Sequence, residues 1–221
     1  ALAGVDAAWP LDLASHAGLE AQIAAIADDI AYDNHDLDDG IRAGLFDIDE
    51  ITAAVPFVAD CWRAVTARWP GVSARRRLVP ELVREQMGRM VSDLLGTTRA
   101  GLAGIDRVED IRSAGRTIAR LSDGLMADVR ALKSFLRERM YRAPAVARLR
   151  DPSEAVVERL FAALHANPAL LPGDWATSCP ADEPARARHV GDFVAGMTDR
   201  YALKLYEQLI GPSPLPQEMV T

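Results

Sequence analysis

Apolar residues return at helical spacing along most of this chain, and no stretch longer than a few residues alternates as a strand does. Between residues 19 and 44, Ile23, Ile26, Ile30, Leu37 and Ile41 fall within about 60° of one another when wound at 100° per residue. A strand would divide the same residues between two faces. Such a stripe demands a partner surface, so the pattern predicts helices packed on helices. Aromatic residues make up only 6% of the chain, while Ala and Leu are abundant and enter helices at little cost. The expected fold is all-α.

Local signals place the helices. One is expected after Gly18, running to about Gly44, and a second from Pro56 in its first turn to Trp69-Pro70-Gly71. A third covers about 74–100, with Pro80 as a kink or a late start. Asp106 is read as the cap of a short helix over 107–114, and Ser122 as the cap of one reaching Tyr141. Asp151-Pro152 reads as N-cap and first residue of a helix to Ala166, which makes "RLRDP" a connection. The stretch "NPALLPGDW" is a loop or short turn, and residues 182–210 hold one or two helices split near Gly196-Met197-Thr198. Residues 1–17 are expected to be irregular, and 1–221 to form a single helical unit.

The 221 residues are 49% hydrophobic and 26% charged, enough apolar material for a real core. A net charge of -7 argues against nucleic-acid binding through a broadly basic surface. Cys61 and Cys179 fit no metal spacing, and a reduced, cytoplasmic chain is expected. No apolar run approaches the ~18 residues of a membrane span. The chain starts at Ala1 and not at Met, and it is read as a processed protein or a fragment.

Chemistry concentrates in residues 24–39, "AAIADDIAYDNHDLDD", where seven of sixteen residues are Asp or His. Asp28, Tyr32, His35, Asp36 and Asp39 gather opposite the apolar stripe. Asp28, Tyr32 and Asp36 form an i, i+4, i+8 ladder along one edge. One reading is a solvated acidic face. Against it, carboxylates at this spacing repel by a few tenths of a kcal/mol per pair. No Lys or Arg lies between Asp28 and Asp39 to relieve them. A helix that gathers acid without counter-charge is suited to meeting a cation.

The longer stretch "LEAQIAAIADDIAYDNHDLDDGIRAGLF" resembles the fourth-ligand helix of the deoxyguanosine triphosphate triphosphohydrolases, a branch of the HD-domain metal phosphohydrolases. The stretches "LVREQMGRMVSDLL", "ALKSFLRERMYR" and "GMTDRYAL" are similar to that family in the same order. The resemblance implies a helical bundle of the HD-domain type, here without its N-terminal helices. It implies a divalent metal, Mg, Mn or similar, held by a His, a His-Asp pair and a final Asp that falls on Asp28. The Tyr and Asp that approach the deoxyribose and its 3'-hydroxyl fall on Tyr32 and Asp36. The implied reaction hydrolyses a dNTP at the α-phosphate to a deoxynucleoside and triphosphate, and the implied assembly is a homo-oligomer.

The residue types suit that chemistry. A hard divalent cation takes carboxylate oxygen, polarises a phosphoryl oxygen and acidifies bound water. Tyr offers a flat ring for a sugar, and Asp accepts a hydrogen bond that a dideoxy sugar could not supply. Yet only 27 residues precede Asp28, with one histidine, His16, and no His-Asp. The chain is therefore read as the C-terminal part of a longer enzyme, inactive by itself and with no catalytic residue assigned. His35-Asp36 is an adjacent pair at the sugar end of the motif and is the less favoured dyad.

Other residues keep two readings. Arg75-Arg76-Arg77 is a solvated run or a phosphate contact. Arg84 and Arg89 lie about 140° apart on one helix; Arg84 is slightly preferred for substrate phosphate, with structural ion pairing as the alternative. Lys133, Arg137 and Tyr141 form a second i, i+4, i+8 ladder, which faces phosphate or serves packing and surface pairing. His165 is expected at a helix C-terminus, His189 on a helix, and Asp199 and Tyr201 as caps and packing. Trp62 and Trp69 are read as core anchors, and Ser15-His16 lacks the partners of a nucleophile. The competing function is a non-catalytic helical module that binds a nucleotide or a partner chain.

Overall fold

The computed structural model describes residues 2–215. Among them every regular element is helical and no strand occurs. The helices gather into two compact units, 1–141 and 142–221, each with its own core, where the sequence was read as one unit.

The first unit holds α1 (Leu2–Ala8), α2 (Leu19–Arg42), α3 (Ile48–Ala54), α4 (Pro56–Arg68), a 3-10 turn (Arg75–Leu78), α5 (Val79–Gly101), α6 (Val108–Arg112) and α7 (Asp123–Leu136). A π turn, Arg137–Tyr141, continues α7. Helix α2 lies against both α5 and α7. Its stripe delivers Ile30, Leu37 and Ile41 to a core shared with Val58, Cys61, Leu82, Met90, Leu132 and Leu136. Asn34 sits in the same stripe and is buried. Its amide donates to the Ile30 carbonyl at 2.8 Å and lies 3.4 Å from Met90 Sδ. Gln22 ties the irregular segment before α7 to α2: its Oε1 accepts from the Ile118 and Ala119 amides at 2.8 and 3.0 Å.

Several boundaries follow the local signals. Gly18 precedes α2, Pro56 opens α4, and Ser122 caps α7 through the Leu125 amide. Pro80 marks a late start, because the 3-10 turn precedes α5. Other expectations are corrected. Helix α3 was not foreseen, although Asp47 and Glu50 form a complete capping box at its start. A short helix occupies Leu2–Ala8 of the segment read as irregular. Trp62 is buried, with the Arg75 guanidinium 5.5 Å from its ring centre, but Trp69 lies past the end of α4 and is 46% exposed.

The second unit holds α8 (Pro144–Ala166), a 3-10 turn (Pro168–Leu170), α9 (Asp174–Thr177), α10 (Ala185–Ala195) and α11 (Asp199–Leu209). Helix α8 contacts α10 and α11 around Val156, Leu160, Leu164, Val190, Phe193, Leu203 and Tyr206. The start of α8 is another correction. Ala143-Pro144 supplies the helix-opening proline, so Pro152 and all of "RLRDP" lie inside the helix. Thr198 caps α11, with Asp199 in its first turn.

Candidate functional site

The acidic helix finds its counter-charge on another element. Lys133 of α7 places its ammonium 3.4 Å from Asp29 and 3.8 Å from Asp33 of α2. One helix turn on, Arg137 and then Tyr141 follow along the α7 extension, and the Tyr141 hydroxyl donates to Asp36. Between the two elements lies a cleft of about 230 Å³ lined by Asp29, Tyr32, Asp33, Asp36, Lys133, Leu136, Arg137 and Tyr141. The two ladders seen in the sequence, one on α2 and one on α7, therefore face each other.

Helix geometry decides which members of the α2 ladder enter the cleft. Residues four apart drift by about 40° per step. Asp36 and Tyr32 line the cleft, whereas Asp28 is exposed on the surface of α2 and is not among the lining residues. Tyr32 is 62% exposed, so its ring presents an open face. Arg84 lies elsewhere. It pairs with Glu81 on α5, beside an open apolar surface of Val83, Met87 and Val91.

Asp33 is the residue that the first helical wheel passed over. It lies on the flank of the apolar stripe and is only 6% exposed. Burial pushes its carboxyl up to about 6, against the pull of Lys133 and with a further push from Asp29 and Asp36. Tyr141 is pushed up to about 12, first by its hydrogen bond to Asp36 and then by burial. The cleft thus joins two cations, two phenol rings and three carboxylates, of which Asp36 is held by the Tyr141 hydroxyl. That set can bind an anionic group beside a hydroxylated ring.

Among the described residues no group of three or more His, Cys, Asp or Glu side chains is placed to hold a metal ion. His35 is exposed beside Asp36. Several of the remaining candidates have structural partners. Arg75 grips Asp49 with two hydrogen bonds of 2.6 and 2.7 Å, which holds that carboxyl below its usual range. Arg89 pairs with Glu85 at 2.8 Å. His165 Nε2 lies 2.7 Å from Glu183, and His189 Nε2 lies 2.9 Å from the Trp175 carbonyl. Among the described residues no helix is long and apolar enough to cross a membrane.

Comparison with known proteins adds to this geometry. Residues 119–208, which include α7 and its π turn, match the phosphohydrolase-associated domain family. The chain is 46% identical over 206 residues to a deoxyguanosinetriphosphate triphosphohydrolase-like protein of Jannaschia sp. (strain CCS1), covering 91% of this chain and 52% of that protein. The chain is related to the deoxyguanosinetriphosphate triphosphohydrolase-like proteins. Proteins of the same description from Allorhizobium ampelinum and Cereibacter sphaeroides (strain ATCC 17025 / ATH 2.4.3) are each 43% identical. Those matches cover 92% and 96% of this chain, and 51% and 56% of the relatives. The chain spans about half the length of the curated relatives it matches.

Proposed function

We propose that this chain is part of a metal-dependent deoxynucleoside triphosphate triphosphohydrolase, which converts a dNTP and water to a deoxynucleoside and triphosphate. The observation that carries the reading is the shared cleft: Tyr32 and Asp36 stand opposite Lys133, Arg137 and Tyr141. The relatives' description as deoxyguanosinetriphosphate triphosphohydrolase-like supports it.

In this reading Tyr32 lies against the deoxyribose and Asp36 accepts from its 3'-hydroxyl, with the Tyr141 hydrogen bond fixing the carboxylate. Lys133 and Arg137 meet phosphate oxygens, Arg137 as a planar fork and Lys133 as a point charge. Asp28 contributes one ligand to a divalent ion such as Mg or Mn, and Arg84 remains a contact for a more distant phosphate. A lone carboxylate does not hold such an ion against water, so the described residues do not fit the metal by themselves. The reading assigns the other ligands to the part of the longer relatives that this chain does not match. A homo-oligomer in the cytoplasm is the expected setting.

Mn²⁺-dependent release of triphosphate from dNTPs tests the proposal. None is expected from the 221 residues alone, and release is expected from a chain extended to the relatives' full length. An inert full-length protein that still binds dNTP would instead support a non-catalytic nucleotide-binding module.

A further inference from the structure

The cleft contains two carboxylates that the proposed reaction does not use, Asp29 and Asp33. Asp33 is buried, its Oδ2 lies 3.8 Å from Lys133 Nζ, and it lines the same cleft as the residues given to substrate. Asp29, the other partner of Lys133, is mostly exposed, with 68% of its side chain accessible against 8% for Asp33. An exposed pair of this kind does little to fix a flexible lysine. The buried carboxylate is the better anchor.

An anion entering the cleft changes this balance. Both it and Asp33 attract the same ammonium, and two negative charges around one cation in a half-buried site repel each other. We propose that Asp33 is a positioning residue for Lys133: it holds the ammonium at the cleft and yields it to an entering phosphate anion, taking up one proton from solvent as it does. The inference rests on the proposed phosphate role of Lys133.

The surroundings fit such an exchange. Asp33 already titrates near 6, because burial opposes its charge, and Asp29 and Asp36 on the same helix oppose it further. From α7 it meets Lys133, and the π turn adds Arg137 and Tyr141 to the cleft wall. From α5, Met90 meets the neighbouring Asn34 and carries no charge. A carboxylate poised so close to neutral pH changes its proton occupancy with a modest change in local potential.

The test uses inorganic triphosphate, titrated calorimetrically into the 221-residue chain between pH 5 and 8. Asp33→Asn mimics the protonated residue with nearly the same shape. It should bind triphosphate about three- to tenfold more tightly than the unsubstituted chain at pH 7.5, and equally at pH 5. The ligand's own protonation is common to both proteins and cancels in the comparison. At pH 6.5 the unsubstituted chain should take up a fraction of a proton more than the variant, read from buffers of different ionisation enthalpy. Lys133 and Lys204 are the two lysines of the chain, so side-chain NMR gives one signal for the cleft and one control. The Lys133 signal should titrate near pH 6 and lose that step in Asp33→Asn, but keep it in Asp29→Asn. Identical pH profiles for the two proteins, or a Lys133 signal indifferent to Asp33, would overturn the proposal. If the lysine follows Asp33 while Lys133→Ala leaves triphosphate binding unchanged, the positioning role is also overturned, and the phosphate reading is the premise that failed.

Discussion

At the scale of the residue, Asp33 and Asp36 show how one helix gives two carboxylates different duties. Asp36 is stabilised by a phenol that donates to it, and Asp33 is penalised by burial. A folded-state value raised from 3.8 to about 6 means that the native protein binds this proton more tightly than the unfolded chain does. The contribution of Asp33 to stability is therefore complete below pH 4 and lost as pH rises through 6. Asp33→Asn should flatten that loss and stabilise the protein at pH 8 by on the order of 2–3 kcal/mol, read by urea denaturation at both pH values. Asp36→Ala, made in the full-length protein, should erode discrimination between deoxy and dideoxy substrates far more than it weakens metal binding. Equal losses in both would remove the role given to that carboxylate. The Asp28, Tyr32 and Asp36 ladder was legible in the sequence because four-residue spacing is visible in one dimension. Asp33 was not, because it lies at the flank of the stripe and its partner, Lys133, comes from a helix a hundred residues away.

At the scale of the element, the proline signals were read correctly in kind and once wrongly in place. Two X-Pro steps, Ala143-Pro144 and Asp151-Pro152, competed to open α8, and the earlier one prevails. The second proline removes a backbone donor from mid-helix, where Ser153 and Leu149 add a side-chain bond of 2.8 Å. Pro152→Ala should raise the stability of the second unit by about 1–3 kcal/mol, seen as a higher midpoint in thermal denaturation. The opposite outcome would mean that the helix is built around the break. Helix α3 was missed for a different reason. Its Asp47–Glu50 capping box is plain in the sequence, but seven residues carry too little periodicity to stand out beside α2 and α4.

At the scale of the whole molecule, each unit closes its own apolar cluster. The first is built on α2, α4, α5 and α7, and the second on α8, α10 and α11. That division was not legible, because residues 141–144 lack the run of Gly, Ser or charged residues that marks a linker. Residues 142–221 expressed alone should give a helical circular-dichroism spectrum and a single cooperative melt, since Val156, Leu160, Leu164, Val190 and Phe193 share an apolar cluster built from second-unit residues. A non-cooperative melt would show that the second core depends on the first.

The π turn that carries α7 on to Tyr141 closes its rings over five residues where an α-helix uses four. It is equivalent to one amino acid slipped into an otherwise regular rod. Removing one residue from 137–140 would return the rod to ordinary winding and swing the phenol away from its acid, so the count of residues there matters as much as their kind.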